Sequence, residues 1–187
     1  MSTALRRAVF LDRDGTLNLD TGYVHRVEDW RWLPGVPEAL ARFKAAGWLL
    51  VVASNQSGIA RGMFGPAELH TLERWVDARL APLGAAPDAW YSCPHLPETT
   101  GPCDCRKPAP GLLLRAARDL AIDLAASGMV GDRLRDAQAG LAAGCRAVLL
   151  RTGWGEHEAA QARAVLPQVP VLPDLPAACA HILAQHS

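Results

Sequence analysis

The sequence predicts an α/β fold in which a central, mostly parallel sheet carries helices on both faces. Three observations carry this prediction. Short β-like apolar runs alternate with segments of helical period from end to end, the runs are bounded by Gly, Pro or polar residues, and no internal repeat or low-complexity tract interrupts the alternation. At 187 residues, with 50% hydrophobic and 20% charged, the chain is long enough to bury a core and too apolar for intrinsic disorder. One domain spanning residues 1–187 is expected.

The first apolar run, Ala8–Leu11, stops at Asp12, far short of a signal-peptide core or a membrane span, so a cytoplasmic location without membrane contact is expected. Val36, Leu40 and Phe43 then recur at helical spacing before Gly47, and a second run covers 48–53. Leu69, Leu72, Val76, Leu80 and Leu83 mark a helix after Pro66, followed by a third run at 89–92. Pro110 opens a helix carrying Leu113, Ala117 and Leu120. A fourth run at 129–131 leads into Leu134, Ala137 and Leu141, a helix that Gly144 can stop, and a fifth covers 147–150. Beyond Leu150 the chain is Ala- and Pro-rich, with a last helical stretch near 177–184 and no assignable chemistry.

Two segments fall outside this rhythm: residues 18–34, with Tyr23, His25, Trp30 and Trp32, read as flap-like, and the Pro- and Cys-rich residues 92–108. Both follow predicted strands, and in an open α/β sheet the ligand crevice lies beyond the carboxyl ends of the strands. Nineteen Lys+Arg balance nineteen Asp+Glu, so no global field attracts nucleic acid or an anionic membrane, and any anionic ligand needs a local cluster. Arginine is the default cation, Lys44 and Lys107 being the only lysines.

The strongest chemical signal is F-L-D-R-D-G-T at 10–16. Residues two apart in an extended segment project to the same side, so Asp12 and Asp14 both face the crevice, one suited to act as nucleophile or metal ligand and the other as general acid. An Asp pair beside Gly is also an ordinary turn. Ser54 and Asn55 close the second strand and can direct a hydroxyl and an amide at a phosphate, or simply end the strand. Lys107, in C-R-K-P, is a point charge suited to a phosphoryl oxygen and to the nucleophile's carboxylate, or a solvated surface lysine. G-D-R-L-R-D at 131–136 adds Asp132 and Asp136, hard oxygen ligands suited to magnesium, or a helix cap at Asp132.

A second constellation is C-P-H at 93–95 followed by C-D-C at 103–105. Cys93, His95, Cys103 and Cys105 make a closed, soft, tetrahedral set that favours a structural zinc over redox chemistry. Such a clip orders the 92–108 loop and sets Arg106 and Lys107 at the crevice. An odd cysteine total argues against a disulfide framework, and Cys145 and Cys179, in helix-like or helix-terminal contexts, read as small core residues.

The ordered set of carboxylate pair, hydroxyl, lysine and carboxylate at four successive strand ends resembles the haloacid dehalogenase (HAD) superfamily of phosphotransferases. The resemblance implies a HAD-like Rossmannoid fold with a minimal cap made of loops, the zinc loop among them. It implies that Asp12 becomes a phosphoaspartate, that Asp14 protonates the leaving oxygen and later activates water, and that Ser54 and Lys107 hold the phosphoryl group. Magnesium is then held by Asp12, the Asp14 backbone carbonyl and Asp132. With the zinc loop, G-Y-V-H at 22–25, S-N-Q-S-G-I-A-R-G at 54–62, M-V-G-D at 129–132 and R-T-G at 151–153, the chain is similar to the D-glycero-D-manno-heptose 1,7-bisphosphate 7-phosphatase family and the related histidinol-phosphate phosphatases. Ser54 stands where the heptose enzymes commonly have Thr and Arg133 where they commonly have Lys, changes that keep a hydroxyl and a cation. Within these 187 residues the dehydratase half of bifunctional histidine-pathway proteins is not expected.

The implied activity is magnesium-dependent removal of the 7-phosphate from a heptose bisphosphate, in lipopolysaccharide-type nucleotide-heptose synthesis, by a monomer. Asn55, Arg106 and Arg133 are expected to bind substrate, the two arginines taking the phosphate that does not react. Histidinol-phosphate hydrolysis and a non-catalytic zinc-ordered binding module are the alternatives. A nucleic-acid phosphatase would need a basic stripe that the chain lacks.

Overall fold

The computed structural model describes residues 5–186; residues 1–4 and 187, which the expected domain of 1–187 includes, lie outside the described residues. Six parallel strands form one sheet: β1 (Ala8–Leu11), β2 (Leu49–Asn55), β3 (Ala89–Cys93), β4 (Gly128–Gly131), β5 (Arg146–Leu150) and β6 (Val171–Leu172), in the order β3-β2-β1-β4-β5-β6. β1 and β4 are fully buried along their length, as expected of parallel strands covered on both faces. The order reverses beside β1, so the crevice opens where β1 and β4 end.

Alternation along the strands sorts the core into two layers. Val9 and Leu11 of β1, with Leu50, Val52, Val130 and Val148, pack against α1 (Val36–Ala45), α2 (Pro66–Leu80) and α7 (Leu175–Ala184). Ala8, Phe10, Val51 and Met129 face α4 (Gly111–Leu120), while Ala147 and Leu149 face α5 (Leu134–Ala142) and α6 (Gly155–Val165). A single turn of helix, α3 (Pro97–Thr100), interrupts the cysteine-rich loop.

Besides two single-turn 3-10 helices, at Val27–Asp29 and Ala81–Leu83, the described residues add α3, α6 and β6 to the elements expected. In α6 the buried side of the helix is made of Gly155, Ala159 and Ala162, so no stripe of large apolar residues announces it. β6 has two residues between Pro170 and Pro173, an edge strand too short for alternation to show. Ser54 and Asn55 lie within β2, in register with Ser92 and Cys93. Cys179 is buried in α7 as expected, whereas the buried Cys145 lies between α5 and β5.

The 18–34 segment divides its aromatic residues. Backbone bridges join Asn18 to Asp14 and to Trp32, tying the segment back onto β1. Trp30 is buried and meets Trp32 edge-on in the core, so neither is a site wall. Tyr23 remains exposed at the crevice.

Candidate active site

Asp12 follows β1 directly, and its backbone N–H donates to Val130 O at 2.9 Å, which sets it beside the end of β4. Its Oδ1 accepts from Lys107 Nζ at 2.8 Å. The same ammonium donates to Ala53 O at 2.7 Å and forms an ion pair with Asp136 Oδ1 at 2.7 Å, so this buried lysine is held by three oxygens of the protein. Burial alone would lower the Lys107 pKa, but the carboxylates of Asp12 and Asp136 outweigh it and hold the pKa above its ordinary value. In this state Lys107 orients Asp12; reaching a phosphoryl oxygen requires the exchange of one of these contacts.

Lys107 is itself placed by Asn55. The Asn55 amide donates to Lys107 O and accepts from Lys107 N, both at 3.1 Å, a reciprocal pair across 52 positions of sequence. Asn55 lines the crevice as expected. Its additional duty, fastening the C-R-K-P loop to β2, has no sequence signature.

Asp14 stands at the end of another network. Arg13, almost fully buried, grips its carboxylate through Nε at 3.1 Å and Nη2 at 2.8 and 3.0 Å, and also donates to Val24 O. Asn18 Nδ2 donates to Asp14 Oδ1 at 2.9 Å. Gln56 Nε2 donates at 3.2 Å to both Asp14 Oδ2 and Ser54 Oγ, linking the acid–base candidate to the hydroxyl. Arg13 and Gln56 fall inside the quoted motifs, yet sequence alone assigns them nothing, because their contacts depend on how two strand ends converge.

Asp12, Asp132 and Asp136 bring carboxylate oxygens within 4.8 Å of one another. Asp132 Oδ2 accepts from Trp154 N at 2.9 Å, whereas its Oδ1 is buried without a partner among the described residues. Gly15, at φ +83°, and Gly153, at φ +54°, pack directly on Asp132, where a Cβ would collide with its carboxylate. Burial, then the charges of Asp12 and Asp136, push Asp132 up to about 8. Burial, then Asp12, raise Asp136 to about 6 despite its pairing with Lys107. An unpartnered, hard oxygen among crowded carboxylates fits magnesium. Asp136 also accepts from Arg133 N at 3.0 Å, capping α5, so it joins cap, lysine and acidic cluster.

The crowding has a measurable consequence. Asp132→Asn is expected to stabilise the magnesium-free protein by about 1–3 kcal/mol, because the amide carries no charge to bury, while weakening magnesium binding. Urea unfolding of both proteins without magnesium, then with it, checks this; a less stable metal-free variant overturns it.

The sulfur atoms of Cys93, Cys103 and Cys105 and Nδ1 of His95 also lie within 4.8 Å of one another. Cys105 Sγ is 3.1 Å from Cys93 Sγ and 3.6 Å from Cys103 Sγ, and 3.2 Å separates it from His95 Nδ1. These spacings approach the roughly 3.8 Å edge of a tetrahedral zinc–thiolate site, and the set leaves no open position. Arg106 Nη1 donates to His95 O at 3.1 Å and Gly111 N to Asp104 O at 3.0 Å, so the cluster is tied to the segment that carries Lys107. About one zinc per chain is expected, retained in EDTA that removes magnesium. Elemental analysis checks this, and metal-replete protein without zinc overturns it.

A cavity of about 360 Å³ lies above Asp12 and Asp14. Arg61, Arg106, Arg133 and Arg135 line it, with Tyr23 and Trp154. The formally neutral chain therefore concentrates cations at this one mouth. Arg133 donates to Glu158 Oε1 at 2.9 Å and lies 4.3 Å above the Trp154 ring. Sequence alone assigns no role to Arg61 and Arg135, although both fall inside quoted motifs, or to Trp154, which lies on the segment without assignable chemistry.

An aspartate after β1, a hydroxyl near the end of β2, a lysine after β3 and carboxylates after β4, on a doubly wound sheet, are the arrangement of the HAD class of phosphotransferases. A HAD-hydrolase-like family model matches residues 104–178. The chain is 51% identical over 152 residues to D-glycero-beta-D-manno-heptose-1,7-bisphosphate 7-phosphatase of Photorhabdus laumondii, covering 78% of this chain and 81% of that protein. The same-named protein of Pasteurella multocida is 46% identical over 178 residues, covering 91% and 97%. The crystal structure of D,D-heptose 1,7-bisphosphate phosphatase from B. bronchiseptica, complexed with magnesium and phosphate, superposes with a TM-score of 0.88 at 41% identity, covering 96% and 99%. The chain belongs to the heptose 1,7-bisphosphate 7-phosphatase family.

Proposed function

We infer that this protein is a magnesium-dependent phosphatase that hydrolyses the 7-phosphate of D-glycero-D-manno-heptose 1,7-bisphosphate through an aspartyl-phosphate intermediate, in the synthesis of nucleotide-activated heptose for lipopolysaccharide. The observation that carries this reading is the convergence of Asp12, Lys107 and the Asp132–Asp136 carboxylates beneath an arginine-lined cavity. The relatives at 46–51% identity are named for the beta anomer, which is the expected substrate here. The proposal extends to a monomer acting in the cytoplasm; among the described residues no helix is long and apolar enough to cross a membrane.

Asp12 Oδ1 is held by Lys107, which leaves Oδ2 to attack phosphorus in line with the leaving oxygen. Magnesium, held by Asp12, the Asp14 carbonyl and Asp132, supplies charge neutralisation on the phosphoryl oxygens. Ser54 Oγ offers a hydrogen bond to one of those oxygens, its orientation set by Gln56. Asp14 delivers a proton to the sugar oxygen, and as a carboxylate it then takes one from the water that cleaves the acyl phosphate. Arg13, Asn18 and Gln56 hold it in place for both steps. Arg106 and Arg133 each keep donors free for substrate beyond their contacts with His95 O and Glu158.

A kinetic panel with magnesium tests the assignment: both anomers of the heptose bisphosphate, the heptose 7-phosphate and histidinol phosphate. The highest kcat/KM is expected for the bisphosphate. Faster turnover of histidinol phosphate would reassign the substrate while leaving the reaction class intact.

A further inference from the structure

Arg135 is the second residue of α5, and its side chain lines the cavity that contains Asp12 and Asp14. It makes no side-chain hydrogen bond and no ion pair among the described residues, and its Nε is buried without a partner. Its neighbours in the cavity wall differ. Arg106 has given one donor to His95 O, and Arg133 is paired with Glu158 and stacked on Trp154. Arg61 lies 5.8 Å from the centre of the Tyr23 ring. Arg61 also makes no side-chain hydrogen bond or ion pair among the described residues, but it is exposed to water. Arg135 is therefore the arginine of this wall with a buried, unpartnered guanidinium nitrogen, and such a nitrogen at the mouth of a phosphate-handling site calls for an anionic acceptor.

We propose that Arg135, beside the expected Arg106 and Arg133, is a further specificity-determining residue for the phosphate that is not hydrolysed. This rests on the bisphosphatase reading above and assigns one residue within it. The reacting phosphoryl group is served by Asp12, Ser54, Lys107 and magnesium at the floor of the cavity, whereas Arg135 projects from the β4–α5 wall. A guanidinium there receives the second phosphate bidentately, satisfies its buried Nε, and uses that remote contact to seat the reacting end in line with Asp12. The competing role is structural. Arg135 contributes a favourable charge to Asp136, and if that is its whole purpose, its loss would affect every substrate alike.

The ratio of kcat/KM for heptose 1,7-bisphosphate to that for heptose 7-phosphate separates these roles, because the two compounds differ only in the second phosphate. Arg135→Gln is expected to lower this ratio at least about tenfold, chiefly through KM, and Arg135→Lys, which keeps the charge but not the fork, by roughly threefold. Inhibition by heptose 1-phosphate, the product that keeps the second phosphate, should weaken in parallel. Equal losses on both substrates, or a ratio unchanged from the wild type, overturn the assignment to Arg135. Should Arg135→Gln not fold, an unchanged ratio in Arg135→Lys overturns it equally. If the wild-type enzyme itself shows no preference for the bisphosphate, the substrate reading fails instead, a result visible before any variant is made.

Discussion

Asp12→Asn is expected to lower kcat on the heptose bisphosphate by at least about a thousandfold while leaving the fold intact. The amide has no anionic oxygen to attack phosphorus and is a weaker magnesium ligand, so nucleophile and metal site are damaged together. The shape is nearly preserved, and an Asn side-chain oxygen can still accept from Lys107 Nζ, which Asp12 Oδ1 does at 2.8 Å. Stability should hold or rise slightly, because one of three crowded carboxylates loses its charge while Lys107 keeps Asp136. Turnover measured under saturating magnesium, with thermal unfolding of the same samples, checks both halves. A kcat within about tenfold of wild type would exclude Asp12 as the nucleophile.

What was legible in the sequence follows from what is local. Asp12 and Asp14 are two positions apart in an extended segment, Ser54 and Asn55 end a strand, and the four zinc-type ligands lie within thirteen positions; periodicity and spacing suffice to group each set. The sheet was legible for the same reason, since β1 to β5 are runs of apolar residues and their alternation with helical stripes implies parallel pairing. The two-residue β6 and the alanine-faced α6 carry too little apolar contrast to register.

The connections among these local sets were not legible. Gln56 reaches Asp14 across 42 positions, Asn55 reaches Lys107 across 52, and Thr152 Oγ1 donates to Gly15 O across 137. No periodicity encodes such contacts; they arise from the register of β1 against β2 and β4, which brings strand ends together. The 150–155 segment illustrates the cost. Beyond Leu150 the residues themselves suggest no chemistry, yet Gly153 and Trp154 close over Asp132, and Trp154 also supports Arg133. Asp136 was named for magnesium, but its pairing with Lys107 depends on a lysine 29 positions earlier, delivered by a different loop.

Lys107→Met is expected to destabilise the magnesium-free protein by about 3–5 kcal/mol and to lower kcat by at least about a hundredfold. The lysine is buried, its ammonium lies 2.8 Å from Asp12 and 2.7 Å from Asp136, and Met replaces its length without its charge. Asp12, Asp132 and Asp136 would then share one buried pocket without the ammonium that pairs two of them, leaving the unpaired charge of Arg135 as a weaker offset at Asp136. The stability loss should shrink when magnesium is added, and it should shrink further when Asp136→Asn is combined with Lys107→Met, since the double variant buries one negative charge fewer while the Asn oxygen can still accept from Arg133 N. Activity should not return in that double variant, because nothing orients the Asp12 carboxylate or offsets charge on the phosphoryl group. Stability and kcat therefore separate: Asp136→Asn relieves the first and not the second. Urea unfolding and steady-state kinetics on the single and double variants read the two effects independently. A Lys107→Met protein as stable as wild type without magnesium would show that the carboxylates do not need this ammonium, and recovery of turnover in the double variant would show that Lys107 serves only to neutralise Asp136.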